Sequence, residues 1–255
     1  MNPSEKSVAV VQWARHDGIT DAITQELDSL GVKWQCFLYN EAIPTDANVV
    51  LTFAPYGPFL PIAAQLQRRR AGARATLIHW NLESLPDPRI PRFVLERISG
   101  LRSCIGRMNE SAPGSLGPIG KLELGLVDSR MHKFRYVGDC LYSYRRGWLD
   151  VLADASGINA QRFSQLGIPT AFVPWGTPRA WYADLHLERD IDVLWMGKRR
   201  NRRRGRWLDR LQAELQRLGL RVYMADGVQN PFIYGSTRTE YLNRAKITLN
   251  RRTCS

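Results

Sequence analysis

The chain contains no run of about 18 consecutive apolar residues, so no membrane-spanning helix is legible in it. Cysteine and histidine are scarce, at four of each in 255 residues. Cys36, Cys104, Cys140 and Cys254 form no Cys-x-x-Cys pair and have no histidine partners at ligand spacing. They read as free thiols, and no metal site is expected. The opening Met-Asn-Pro-Ser-Glu-Lys lacks the basic and apolar regions of a secretory leader, which points to a cytoplasmic protein. No G-x-G-x-x-G follows a strand, and G-x-x-x-x-G-K-[ST], H-E-x-x-H and G-x-S-x-G are all missing. Dinucleotide redox chemistry, P-loop hydrolysis, zinc proteolysis and the usual serine esterase therefore have no support. Low-complexity tracts are also lacking, and with 44% hydrophobic residues the chain can bury a large core, unlike a disordered one.

Positive charge is plentiful, and it is local. The formal net charge is +12, and from Lys198 to Arg206 the run KRRNRRRGR holds seven cations in nine residues. A strand-like stretch, Asp190 to Gly197, precedes this run. An amphipathic one, Trp207 to Leu218, follows it, with Trp207, Leu208, Leu211, Leu215 and Leu218 at helical spacing. A basic loop between a strand and a helix sits where α/β proteins hold phosphates. The plainer reading is a solvated surface loop that attracts nucleic acid.

The rest of the chain alternates short apolar runs with helical ones. Strands are expected at Ser7 to Ala14, Val32 to Tyr39, Asn48 to Ala54, Ala75 to Trp80, Phe134 to Tyr144 and Thr170 to Val173. Helices are expected at Asp21 to Leu30, Pro58 to Arg70, Arg92 to Ser99, Trp148 to Asp154 and Ala160 to Leu166. The Gly- and Pro-rich segment Ser111 to Gly125 reads as an excursion. After a proline-glycine turn, Pro174 to Pro178, a second β-α series adds strands at Asp190 to Met196, Arg221 to Ala225 and Lys246 to Asn250. Helices separate them at Arg206 to Leu218 and Thr237 to Arg244. The fold class is α/β, with parallel sheets and two domains, 1–177 and 178–255.

Candidate chemistry lies where strands end. His16 and Asp17 follow the first strand, where a histidine can take a proton from a substrate hydroxyl, or where the pair simply turns the chain and caps a helix. Asn81 and Glu83 follow the fourth strand, as sugar-binding or basic groups or as ordinary loop residues. Tyr144 and Arg145 close what reads as a later strand, suited to stacking or to packing.

Three segments together resemble glycosyltransferases built from two facing Rossmann-like domains, the GT-B fold, especially the spore-coat-type and family 1 or 4-like members. They are SQLGIPTAFVPWGTPRAWY (Ser164 to Tyr182), RDIDVLWMGKRRNRRRGRWLDRL (Arg189 to Leu211) and YGSTRTEYLNRAKITLN (Tyr234 to Asn250). The resemblance implies sugar transfer from a nucleoside-diphosphate donor to an acceptor the sequence does not identify. No cofactor is needed beyond the donor itself. It makes 1–177 the acceptor-side domain, with His16, Asp17 and Glu83 as catalytic residues and Asn81, Tyr144 and Arg145 beside the acceptor. It makes 178–255 the donor side, with Gly197, Lys198, Arg199, Arg200, Arg203 and Arg204 around the diphosphate. Such enzymes continue beyond the position of Asn250, so a truncated donor domain is expected. The alternatives are a basic α/β protein using 198–206 on nucleic acid or an anionic membrane surface, and a scaffold domain without chemistry.

Overall fold

The computed structural model describes residues 7–12, 18–53, 59–68, 75–111, 129–176, 178, 181, 183–199 and 202–249. The chain divides into two compact units, Met1–Gly176 and Thr177–Ser255. Both are α/β.

The first unit is a six-stranded parallel sheet in the order β2-β1-β3-β4-β5-β6. Its strands are β1 (Ser7–Gln12), β2 (Lys33–Leu38), β3 (Val49–Phe53), β4 (Thr76–Asn81), β5 (Val151–Asp154) and β6 (Thr170–Phe172). Its helices are α1 (Gly18–Ser29), α2 (Phe59–Gln67), α3 (Arg92–Ser111), α4 (Ser129–Arg145) and α5 (Gly157–Gln165). Side chains alternate across the sheet as the pleat requires. Val8 and Val10 pack with Ile19, Ile23 and Leu27, the fourfold stripe of α1. Ala9, Val11, Val50, Leu77 and Leu152 meet α2, α4 and α5 through Phe59, Ile62, Val137 and Phe163. Helices thus cover both faces, as near-continuous apolar strands demand. Gly31, at φ 64°, supplies the left-handed turn that ends α1.

Two expected elements change type. Phe134 to Tyr144 is not a strand but most of α4, and Val151–Asp154 is a strand where Trp148 to Asp154 reads as helical. The cause is tertiary. α3 and α4 pack antiparallel, Glu96 meeting Arg145 and Ser103 meeting Asp139. Gly138 lets the helices touch, since a β-carbon there would run into the carbonyl of Ser99. Arg135 and Asp139 are buried in this hairpin, so α4 hides polar groups on its inner side and shows no apolar stripe. The expected excursion joins α3 to α4, and beyond Ser111 it lies outside the described residues.

A buried polar chain crosses the core. The Thr52 hydroxyl donates to the Ile78 carbonyl at 3.2 Å, so its oxygen accepts from His79 Nδ1–H at 2.8 Å. That tautomer leaves Nε2 to accept from the Tyr136 hydroxyl at 2.7 Å. The imidazole stacks on Phe59 with ring centroids 4.4 Å apart. Burial lowers the His79 pKa to about 3, so the ring is neutral at any physiological pH.

The second unit is a three-stranded parallel sheet in the order β8-β7-β9, built from β7 (Ile191–Met196), β8 (Val222–Ala225) and β9 (Ala245–Leu249). The last strand pairs with β7, in register from Ile191 opposite Ala245 to Trp195 opposite Leu249. Helix α6 (Arg202–Arg217) buries Leu208 against Trp195 and Met224, while α7 (Gly235–Arg244) lays Tyr241 and Leu242 beside Leu194 and Tyr223. Arg244 grips Asp190 through two bonds of 2.8 and 2.6 Å, holding that carboxyl down at about 2. α6 starts earlier than expected. The run read as a basic loop is helical from Arg202 onward, because arginine is a good helix former and Gly205 does not break the turn.

Candidate functional site

In open α/β sheets ligands bind beyond the carboxyl ends of the strands, where the strand order reverses. In the first unit that point lies between β1 and β3. The segments leaving those strands, 13–17 and 54–58, lie outside the described residues, and His16 and Asp17 with them. The neighbouring ends are described. Asn81 closes β4 in register with Asp154 at the end of β5, and both are buried. The Asn81 amide donates to the Asp154 carboxylate and, at 3.0 Å, to the Glu83 carbonyl, and its oxygen accepts from Glu83 N–H at 2.8 Å. Asp154 also accepts from Ser156 N–H at 2.7 Å. Burial raises the Asp154 pKa, against the opposing pull of those bonds. Asn81 therefore shapes the edge, whereas the Glu83 side chain is exposed. Trp80 stacks on Trp175 at 5.4 Å and donates to the Val173 carbonyl at 3.0 Å, on the opposite face of the sheet from Asn81.

The other acceptor-side residues are elsewhere. Tyr144 and Arg145 end α4, which delivers the chain to the amino end of β5. Arg145 pairs with Glu96 at 3.2 Å there. Asn81 and Arg145 thus mark opposite ends of the sheet. The sequence reading missed Asp154, whose signal was an acid closing the buried run VLAD.

In the second unit the order reverses between β7 and β9, with β7 leading through Gly197 into α6. Gly197 N–H donates to the Ala225 carbonyl at 3.1 Å, and its own carbonyl accepts from Trp195 Nε1 at 3.1 Å. The basic run then divides. Arg199, 12% exposed, turns inward, bonding Asp226 after β8 and Asp209 on α6. Asp226 is buried and accepts from Val228 and Gln229 N–H at 2.9 and 2.8 Å. Burial raises the Asp226 pKa, but the bonds from Arg199 and the two amides win and hold it below the usual value. Arg204 leans back to the Lys198 carbonyl at 3.4 Å. Lys198, Arg202, Arg203 and Arg206 are exposed. Arg200 lies outside the described residues.

Arg199 is thus a staple between the loops that follow β7 and β8. Replacing Asp226 by Asn removes the charge facing a nearly buried guanidinium, and urea denaturation should show a loss of about 2 kcal/mol. A change below about 0.5 kcal/mol would mean that the exposed Asp209 alone suffices.

No group of three or more His, Cys, Asp or Glu side chains is placed to hold a metal ion among the described residues. Among them, too, no helix is long and apolar enough to cross a membrane. Comparison with protein-family models, curated proteins and solved structures finds no match for the chain.

Proposed function

We propose that this protein is a nucleotide-sugar-dependent glycosyltransferase or a relative of one, with the donor diphosphate held where β7 passes into α6. One observation carries the reading. The first turn of α6 contains Arg202, Arg203 and Arg204 and no acid. Cations at the positive end of a helix dipole are unfavourable by about 0.3 to 1 kcal/mol each, the reverse of the usual pattern. A local conflict of this kind marks functional positions, and an anion at the helix end relieves it. Gly197 leaves the approach to the sheet edge free of a side chain.

In this reading Lys198 and Arg200, with the first turn of α6, neutralise the leaving diphosphate, while Arg199 and Arg204 set the loop. The acceptor oxygen bonds to the anomeric carbon as the bond from that carbon to the diphosphate oxygen breaks. The acceptor proton passes to a base of the protein, for which His16, Asp17 and Glu83 are the candidates. The two units are then the acceptor-side and donor-side domains of such an enzyme.

Thermal shift with UDP-, GDP-, TDP- and ADP-sugars tests the reading, because a ligand bound only by the folded state raises the melting temperature. At least one should raise it. Lys198→Ala with Arg200→Ala should weaken the responding nucleotide by roughly 10- to 100-fold, about 1.4 to 3 kcal/mol, without lowering the melting temperature of the free protein. If none of the four nucleotides shifts the parent protein, the proposal fails.

A further inference from the structure

The outward face of α6 is unlike the rest of the second unit. Leu208 fixes which side of the helix meets the sheet. Successive residues turn by 100°, so Arg203, Arg206 and Arg210 fall on the opposite side, with Trp207 on its flank. These four residues line a recess of about 320 Å³. Trp207 is 36% exposed and meets Trp195 edge to face, with ring centroids 6.1 Å apart. The cationic stretch stops at Glu214, which pairs with Arg217 at 3.1 Å.

We propose that this face is a docking surface for single-stranded nucleic acid, adjoining the donor site and sharing Arg203 with it. Three guanidiniums span about 10 Å of helix, and a nucleic-acid strand carries a phosphate roughly every 3.4 Å, so three cations face about three phosphates. The tryptophan supplies a flat surface for one base, the pairing of cation and aromatic that strand-binding proteins use. A duplex, its bases stacked inside, offers the arginines phosphates but gives Trp207 nothing to stack on. A membrane surface fits less well, because the apolar side of α6 is occupied by the sheet and the outward side has no aliphatic residue to insert between Arg203 and Arg210.

The test is fluorescence anisotropy of a labelled 12-residue oligouridylate from 50 to 300 mM salt. Three contacts on a single strand give a slope of log affinity on log salt of about −2. Arg206→Gln with Arg210→Gln should flatten it to about −0.7 and weaken binding roughly 50-fold at 50 mM salt. Trp207→Ala should cost about tenfold while Trp207→Phe keeps affinity within about twofold, which separates lost stacking from a disturbed fold. Arg206 and Arg210 are outside the donor site, so nucleotide-sugar binding and the melting temperature should not change in the double variant. Strand binding without any nucleotide-sugar binding would sustain this surface and end the transferase reading. Absence of oligouridylate binding at 50 mM salt, an unaltered slope in the double variant, equal affinity for a duplex of the same length, or binding to phosphatidylserine vesicles in place of the strand would each overturn it.

Discussion

As the pH falls from 6.5 to about 3, the first unit should lose about 5 kcal/mol of stability through a single side chain. His79 ionises near 6.5 in an unfolded chain and near 3 in the folded core. Between those values the unfolded state binds the proton that the folded state refuses, so stability is intact above 6.5 and declines by about 1.4 kcal/mol per pH unit below it. Glu96, whose pKa is lowered by its bond from Arg92, adds to the loss only at the acid end. Asp154, whose pKa is raised, acts with the opposite sign. The fall below pH 6.5 is therefore set by His79, with Asp154 opposing it. Urea denaturation at closely spaced pH values should show the decline in the parent protein and a flat line in His79→Phe, which keeps the stack on Phe59 and cannot take the proton. Equal slopes in the two proteins would remove His79 from the account.

The second large effect is steric. Gly138→Ala should destabilise the first unit by about 3 kcal/mol, because the new methyl group meets the backbone carbonyl of Ser99 and the β-carbon of Ser103, neither of which can swing aside. Helix propensity alone predicts the opposite, a gain of up to about 1 kcal/mol. Gly100 provides the contrast on the facing helix. A β-carbon there has no atom within 4 Å, so Gly100→Ala should stabilise by a fraction of that gain. Thermal denaturation of the two variants should therefore move in opposite directions. If both rise, the two helices are not in contact at Gly138.

These two residues also show where the sequence was legible. Strands β1, β3, β4 and β7 are apolar runs buried on both faces, and α1 carries its stripe in plain view, so periodicity finds them all. In α4 the periodicity is masked, since Arg135 and Asp139 are buried in the hairpin, 3.6 Å apart, and Gly138, a breaker by propensity, sits against Ser99 of α3. The run VLAD is too short to tell strand from helix by pattern. For the basic segment, composition located the charge but could not divide it. That Arg199 serves Asp226 and Arg203 faces outward depends on the distant Asp226 and on which side of α6 Leu208 buries.

The strand order of the larger sheet also sets a timetable for its assembly. β1 to β4 form one contiguous block of the sheet as they do of the sequence, and can join as they leave the ribosome. β5 cannot follow at once. Val151 pairs with Ile78, which is 73 positions earlier, and translation takes roughly 4 to 15 s to cover that distance. For that time β4 presents an unpaired edge of buried-type side chains, a template for the wrong partner. The intervening residues build the α3–α4 hairpin, whose Tyr136, Val137 and Leu141 join the core over the same strands. The two helices thus reach the nascent sheet before its next strand and bring the chain to the place where that strand must start.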